Sequence, residues 1–418
     1  METLFSSSVD VAVVGAGVVG LVSALAIQRA RPERRVLVLG EAAKADQIVT
    51  LTPNSVEFLE TLGVQVRPRA CAVHQMRVFS DSELHFEAAD SGLAALAWVM
   101  RQSDLQAQLE ALTGRQGISR LGKSLVSLET PPPLGRKLSL RGEGFEISTS
   151  LAVAADGAQS LLRTLAGIEA ELYAYPQKAV VAELEFTDGP DNFVANASGS
   201  SAAPSHRPSR READCAYQWF GSHGVLALLP MKDQRYCMIW SAPDQPDHDL
   251  VSRLIVDAEK GDEGDARFLA ELGAVVGASF GVPRLASAVR SFSLARLRPK
   301  TLIAERVALV GDAAHVVHPL AGQGLNLGLA DAQTLAEILR VLPPAADLGE
   351  AITLRRYARS RAEPIALMLN LTHGLQKAFE EHADPSVLER LWRSTRELGW
   401  RGVNHLSPLK QAMIRHAS

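Results

Sequence analysis

The segment Val9–Val14, apolar but for Asp10, runs straight into Gly15-Ala-Gly-Val-Val-Gly20, and a further apolar stretch continues to about Ala30. This order predicts a buried strand, a tight glycine turn and a helix. In that arrangement Gly15 permits the turn, Gly17 lets backbone approach a pyrophosphate, and Gly20 lets helix and strand pack closely. The helix N-terminus then offers free N–H groups and a positive dipole end to the phosphates. Taken alone, the three glycines could also be purely structural. Val11–Ile27 is nearly all apolar, but its glycines and its length, just under a span, argue for strand–turn–helix over a membrane helix.

Val36–Leu39 supplies a second short apolar strand, giving the front half of a dinucleotide-binding unit. An acidic residue normally ends that strand and binds the adenosine ribose. Gly40 stands there, and Glu41 follows. Glu41 either serves after a small shift of the strand end or is a solvated glutamate.

A second segment, Arg306-Val-Ala-Leu-Val-Gly-Asp-Ala-Ala-His-Val-Val-His-Pro-Leu-Ala-Gly-Gln-Gly-Leu-Asn326, reads as a short buried strand entering Gly311-Asp312. A glycine-rich turn and a helix start follow at about Ala321–Asn326. The Asp312 carboxylate can accept hydrogen bonds from ribitol hydroxyls, a polyol that only flavin cofactors carry; by itself it would be an ordinary helix cap. Gly322, Gly324, Leu325 and Asn326 can present backbone N–H groups to a flavin pyrimidine ring and stabilise negative charge on its reduced form. The two segments together point to one long cofactor, FAD. A third signal is Asp156-Gly157-Ala-Gln-Ser160-Leu-Leu-Arg163. Asp156 ends the buried strand Leu151–Ala155, and Ser160 and Arg163 lie one turn apart on the next helix. They can fix a turn beside the pyrophosphate, or form no more than a cap with a salt bridge. His315 and His318 are candidates for a general base or for loop-shaping hydrogen bonds. Their spacing lacks a third ligand, so no metal is expected.

A chain of 418 residues with 47% hydrophobic and 22% charged content can bury a substantial core. A net charge of −4 argues against nucleic acid as a partner. Cys71, Cys215 and Cys237 form no disulfide or metal spacing and suit a reducing compartment. The first residues are too short and acidic for a signal peptide. The predicted fold is α/β: a Rossmann-like FAD-binding domain with an inserted, mostly antiparallel substrate domain and a C-terminal helical region. The FAD-binding domain takes 1–71, 101–171 and 290–342, the substrate domain 72–100 and 172–289, and the helices 343–418. Within the substrate domain, Met76–Phe79, Leu84–Phe86, Val180–Phe186, Ala216–Phe220, Val225–Leu229 and Tyr236–Trp240 read as strands. Ala195–Arg211 reads as a surface loop. After Asn326 the chain reads as helical, broken by Pro343-Pro344, Pro364, Pro385 and Pro408.

With these motifs in this order, the chain resembles the flavin-dependent aromatic hydroxylases (class A flavoprotein monooxygenases), and specifically the ubiquinone-biosynthesis hydroxylases. Leu320-Ala321 before Gly322-Gln323-Gly324 is typical of that branch, and Leu96-Ala97-Trp98-Val99, Tyr217-Gln218-Trp219-Phe220 and Leu226–Pro230 extend the match. The resemblance implies FAD, reduction by NAD(P)H, and O2 adding at flavin C4a to give a hydroperoxide. That species passes an OH to the ring of a polyprenylated phenol in a dry site. It implies Gln218 and Phe220 as substrate contacts between the flavin and the substrate-domain sheet, with Pro319 to Gly322 under the flavin; no catalytic base is identified. The chain departs from the family pattern at Gly40, with the acid at Glu41; at Gln47, where an arginine is common; and at Arg101-Gln102-Ser103, where Glu-Asn-Arg is usual. Arg101 matches the wider Arg-x-x-x-Leu pattern and can replace the lost positive charge near the cofactor.

From Pro385 onward, Lys/Arg at 390, 393, 396, 401, 410 and 415 oppose Glu389 and Glu397, with Trp392 and Trp400 among leucines. Such a tail fits a membrane surface or a partner protein, or packs on the body of the molecule. The expected location is cytoplasmic, peripheral at the inner membrane, with other quinone-biosynthesis proteins as candidate partners. Two further readings fit the scaffold: a flavin-dependent reductase or dehydrogenase, and a weakly flavin-binding, non-catalytic subunit of a quinone-biosynthesis complex.

Overall fold

The computed structural model describes residues 5–42, 47–80, 83–129, 137–187, 212–221, 224–243, 262–277, 280–318 and 322–379. They fall into two units. The first joins Met1–Pro68, Met100–Tyr173 and Ala295–Thr372; the second joins Arg69–Val99, Ala174–Leu294 and the chain from His373.

The first unit is organised by a parallel sheet of β1 (Phe5–Ala16), β2 (Val36–Ala42), β3 (Ser119–Leu121), β4 (Phe145–Ala154) and β5 (Val307–Leu309). Its order is β5-β4-β1-β2-β3, with all four pairings parallel. Val11–Val14 are buried on both faces, as a central strand covered by helices requires. The strand order reverses between β1 and β4, so a crevice opens at the carboxyl ends of these two strands. β4 also pairs antiparallel with Leu138–Gly142, which pairs with Leu125–Glu129.

The helices of this unit are α1 (Val18–Ala30), α2 (Pro53–Thr61), α3 (Gln102–Arg115) and α4 (Leu161–Leu165). In the second unit lies α5 (Asp262–Val276); α6 (Gly324–Arg340) and most of α7 (Ala351–Phe379) return to the first. The segment 343–372 therefore counts with the cofactor unit, where the sequence reading had set it apart as a helical region. Arg31, 3% exposed, ties α1 to the end of α6. Its guanidinium donates to the carbonyls of Leu339, Leu342, Pro343 and Pro344 at 2.6–3.2 Å, which satisfies acceptors that a helix C-terminus leaves open.

The second unit is a sheet ordered Val282–Leu285, Ala170–Thr187, Tyr236–Pro243, Gly224–Pro230, Cys215–Gly221, Gln75–Phe79, Glu83–Glu87. Of the pairings resolved residue by residue in this unit, only Cys215–Gly221 with Gln75–Phe79 is parallel. Alternation along the strands puts Tyr217 and Trp219, with Leu226, Leu228, Met238 and Trp240, into one aromatic-rich core. Phe268, Leu272 and Val276 of α5 close that core. Gln218 and Phe220 lie on the opposite face of the same strand.

Two expectations need correction. Asp262–Val276 is a helix inside a block that reads as strands. Pro364 does not break the chain: it sits within α7. It lies on the exposed side of that helix, where water can take the carbonyl its ring deprives of a donor. The Ala195–Arg211 loop and the chain after 379, including the basic tail, lie outside the described residues. Among the described residues no helix is long and apolar enough to cross a membrane.

Candidate cofactor-binding site

The glycine turn between β1 and α1 is built against the end of β4. A Cβ on Gly15 would lie 2.2 Å from the Ala155 carbonyl oxygen, and one on Gly20 2.0 Å from that of Gly15. No side chain beyond hydrogen fits either position. The first intrahelical bond of α1 runs from Leu21 N to the Gly17 carbonyl, and no side chain caps this end. The N–H groups of Val18, Val19 and Gly20 therefore have no intrahelical acceptor. Gln106 of α3, itself buried, steadies the turn by donating from Nε2 to the Ala16 carbonyl at 2.8 Å.

Gly40, two residues before the end of β2, has φ 135°, a conformation costly for any residue with a Cβ; the space beside it, toward Ala16 N and Gly15 Cα, would itself admit one in ordinary contact at 3.4–3.5 Å. The backbone conformation explains why no carboxylate stands at position 40. Glu41 is exposed at the strand end, next to Ala42, which pairs with Ala16 of the turn. Gln47 accepts a 2.7 Å bond at its carbonyl from Gln102 N, so Arg101, the residue preceding α3, is anchored beside it.

The Gly311-Asp312 turn meets the same place. A Cβ on Gly311 would lie 3.1 Å from Val19 Cγ1, and one on Gly328 would lie 2.9 Å from both Gly311 Cα and Val19 Cγ2. Hence the start of α1, the Gly311 turn and the first turns of α6 touch one another. The Asp312 side chain reaches solvent although protein surrounds it on most sides. That partial desolvation raises its carboxyl above the ordinary carboxylate range, against an opposing pull from His315.

Arg163 links the Asp156 segment to this turn. Its guanidinium donates to the Ala313 and Ala158 carbonyls at 3.0 and 2.9 Å. Asp156 accepts instead from Ser160 Oγ at 2.5 Å and Leu162 N at 3.1 Å, and Ser160 caps α4 through Arg163 N. The segment thus braces the Gly311 turn, and Asp156 binds the loop's own groups instead of pairing with Arg163.

At the start of α6 the first intrahelical donor is Leu327 N, and no side chain caps the helix. The N–H groups of Gly324, Leu325 and Asn326 are left without intrahelical acceptors. The Asn326 side chain, 6% exposed, is fully committed to backbone. Its Oδ1 accepts from Thr52 N at 3.0 Å, and its Nδ2 donates to the carbonyls of Thr50 and Gly322 at 2.8 and 3.3 Å. Its side chain therefore holds the Gly322 turn to the segment before α2; toward a ligand it offers only its N–H. Pro319 lies outside the described residues. Gln218 and Phe220 are buried in the second unit at 6% and 8% exposure.

Behind the Gly311 turn is a buried polar assembly that the sequence reading missed. Asp331, fully buried, accepts from Gly311 N (3.0 Å) and His315 Nε2 (2.6 Å) on Oδ2, and from Arg361 Nε (2.6 Å) on Oδ1. Arg361 also donates to the Leu327 carbonyl at 3.1 Å. Burial alone would raise the Asp331 carboxyl, but His315 and Arg361 outweigh it and hold the group below its ordinary range. The signal was present: Asp331 occupies a helical position on the apolar stripe Leu327, Leu335, Leu339. His315 therefore serves to shape the loop, and His318 is buried. No group of ligand-type side chains that could hold a metal occurs among the described residues.

The first unit thus brings together Gly15, Gly17, Gly20, Asp156, Gly311, Asp312, Gly322, Gly324, Leu325 and Asn326, with Glu41 at the exposed end of β2 and Arg101 just before α3. Two uncapped helix N-termini, an accessible carboxylate between them and glycine contacts with no room for side chains suit an extended dinucleotide with a polyol arm.

Comparison with known proteins agrees. The family model described as "FAD binding domain" matches residues 8–363. Human mitochondrial ubiquinone biosynthesis monooxygenase COQ6 is 28% identical, aligned over 98% of this chain and 92% of its own. The 3-demethoxyubiquinol 3-hydroxylase of Escherichia coli K12 is 28% identical over 98% of both chains. The crystal structure of p-nitrophenol 4-monooxygenase PnpA from Pseudomonas putida DLL-E4 superposes with a TM-score of 0.74 at 16% identity, covering 98% of this chain and 97% of that one. The protein whose β1–α1 turn, Gly311-Asp312 turn and α6 N-terminus converge in this way belongs to the FAD binding domain family.

Proposed function

We propose that the protein is an FAD-dependent monooxygenase that hydroxylates the aromatic ring of a polyprenylated phenol in ubiquinone biosynthesis. The observation that carries this reading is the meeting of Val19, Gly311 and Gly328, which sets three cofactor-type backbone segments around one accessible carboxylate. Near-full-length similarity to two proteins named for ubiquinone biosynthesis and demethoxyubiquinol hydroxylation supports the substrate class. The bound flavin, reduced by NAD(P)H, supplies O2 activation: one oxygen atom enters the ring C–H and the other leaves as water.

The residues of the chain divide the remaining work. The N–H groups at the start of α1 take the pyrophosphate, Glu41 the adenosine ribose and Asp312 the ribityl hydroxyls. Gly324, Leu325 and Asn326 offer backbone N–H groups, reinforced by the helix dipole, to negative charge on the pyrimidine edge of the reduced ring system. Gln218 and Phe220, on the face of their strand away from the aromatic core, contact the substrate. The bilayer-soluble tail of such a phenol, with the basic tryptophan-bearing C-terminus, supports a peripheral membrane location.

The test is oxygen uptake by the purified flavoprotein with NADPH or NADH and a short-chain prenylphenol. Substrate-coupled uptake with a hydroxylated product is expected, and deletion in the host should accumulate a precursor lacking one hydroxyl. Reduction of substrate without oxygen uptake would instead indicate a reductase. Colourless protein that takes up no FAD would indicate a non-catalytic subunit.

A further inference from the structure

We infer that Asp331, fixed by Arg361 and His315, is a positioning residue that sets the Gly311-Asp312 turn for its contact with the cofactor; this rests on the reading of Asp312 given above. Asp331 has no exposed surface, and each of its oxygens is already engaged. Its contribution to the site must therefore pass through the groups it holds, and of these Gly311 N–H lies next to Asp312. That N–H belongs to a residue with φ 61°, and Asp312 is the next residue. The bond at 3.0 Å ties the turn's backbone to a side chain of α6.

The carboxylate is in turn held from two other directions. Arg361 reaches it from α7 and fastens itself to the Leu327 carbonyl of α6. His315, three residues beyond Asp312, closes the loop from its far side and is itself fully buried. Tyr357, one turn before Arg361, donates from its hydroxyl to the Leu309 carbonyl of β5 at 2.6 Å. The strand entering the turn, the turn and the loop leaving it are thus all pinned to α6 and α7. An apolar residue at 331 would remove the fixed acceptor for Gly311 and would also leave the buried Arg361 guanidinium without its carboxylate, so it would confound positioning with stability.

Asp331→Asn is the informative change, because an amide keeps the shape but has one acceptor oxygen and one donor nitrogen. If the oxygen stays with Gly311 and His315, the NH2 opposes Arg361 Nε. If it turns to Arg361, the NH2 opposes Gly311 N–H. FAD affinity is measured by titrating apo-protein and following flavin fluorescence, for wild type, Asp331→Asn, Asp312→Ala and the double variant. Thermal melts of the apo-proteins report folding. Arg361→Gln combined with Asp331→Asn, which leaves no unpaired buried charge, stands in for the single change if that melts below the assay temperature.

The expected result is at least a tenfold weaker FAD dissociation constant for Asp331→Asn and for Asp312→Ala, with less than a further twofold when the first is added to the second. Unchanged affinity in Asp331→Asn alongside weakened Asp312→Ala overturns the positioning role alone. Fully multiplicative effects also overturn it, since Asp331 would then act independently of Asp312. Unchanged affinity in Asp312→Ala overturns the ribityl reading, and the positioning role with it.

Discussion

Replacing Asn326 with alanine should loosen the start of α6 without touching any residue that offers a side chain to the cofactor. The change strips Thr52 N–H of its acceptor, in a residue 5% exposed, and strips the Thr50 and Gly322 carbonyls of a donor. A buried N–H left unsatisfied costs about 1–3 kcal/mol, and each lost carbonyl bond about 1 kcal/mol where water does not replace it. Alanine returns about 0.5 kcal/mol of helix propensity. The net loss is about 2.5–4.5 kcal/mol, or roughly 5–18 °C in the melting temperature of a unit of this size. Apo-protein melts followed by circular dichroism read the first effect. Because Gly322 is released from Thr50, FAD affinity should also fall about tenfold, equivalent to ~1.4 kcal/mol. Asn326→Asp keeps the acceptor for Thr52 but sets a buried carboxylate oxygen against the Thr50 and Gly322 carbonyls. Its melt should fall at least as far as that of Asn326→Ala at pH 8, and recover part of the loss as the pH is lowered and the carboxyl is protonated. A melt within about 2 °C of wild type, with unaltered FAD affinity, would refute the clamp.

Other outcomes follow from the same geometry. Gly20→Ala places a methyl group 2.0 Å from the Gly15 carbonyl oxygen, so purified protein should lose its flavin absorbance; a normal ratio of visible to ultraviolet absorbance would contradict the packing. Gln47→Arg should tighten FAD several-fold in low salt, since the exposed side chain leaves room for an arginine; unchanged affinity would mean that Arg101 already supplies the charge. Burial pushes the Cys215 thiol up to about 12, and desolvation also raises the half-buried Cys71. At pH 8 a thiolate-directed reagent should therefore label Cys71 slowly and leave Cys215 and Cys237 untouched until denaturant is added, as counted by intact mass.

The cofactor unit was legible because its elements are marked locally. Apolar runs ending in Gly15 and Gly311 announce buried parallel strands, and the glycine spacing announces the turn between strand and helix. What escaped depends on partners distant in the chain. Asn326 was legible only for its backbone N–H, because nothing near it in sequence shows that Thr50, Thr52 and Gly322 take both ends of its side-chain amide. Asp331 and Arg361 sit in unremarkable helical stretches, and only the interruption of a leucine stripe by a carboxylate betrays the first. In the second unit, Phe268, Leu272 and Val276 do have helical spacing, but the glycines at 264, 273 and 277 and the flanking strands obscured it. Pro364 misled for the opposite reason: a proline is tolerated in a helix when its blocked face meets water.

The junction at Val19 also bears on how this enzyme could be made more robust. Trading helical glycine for alanine is a common route to a stiffer unfolded chain and a higher melting point, worth about 0.4–1 kcal/mol per site. At Gly328 that trade is closed, because the methyl group would force α6 away from Val19 and the Gly311 turn, and at Gly20 it is closed because the methyl group would meet the Gly15 carbonyl. At Gly114 in α3 and Gly273 in α5 an added Cβ meets nothing within 4 Å. Thermal hardening by this route must therefore begin at the periphery and in the second unit, leaving the nucleotide cradle as it is.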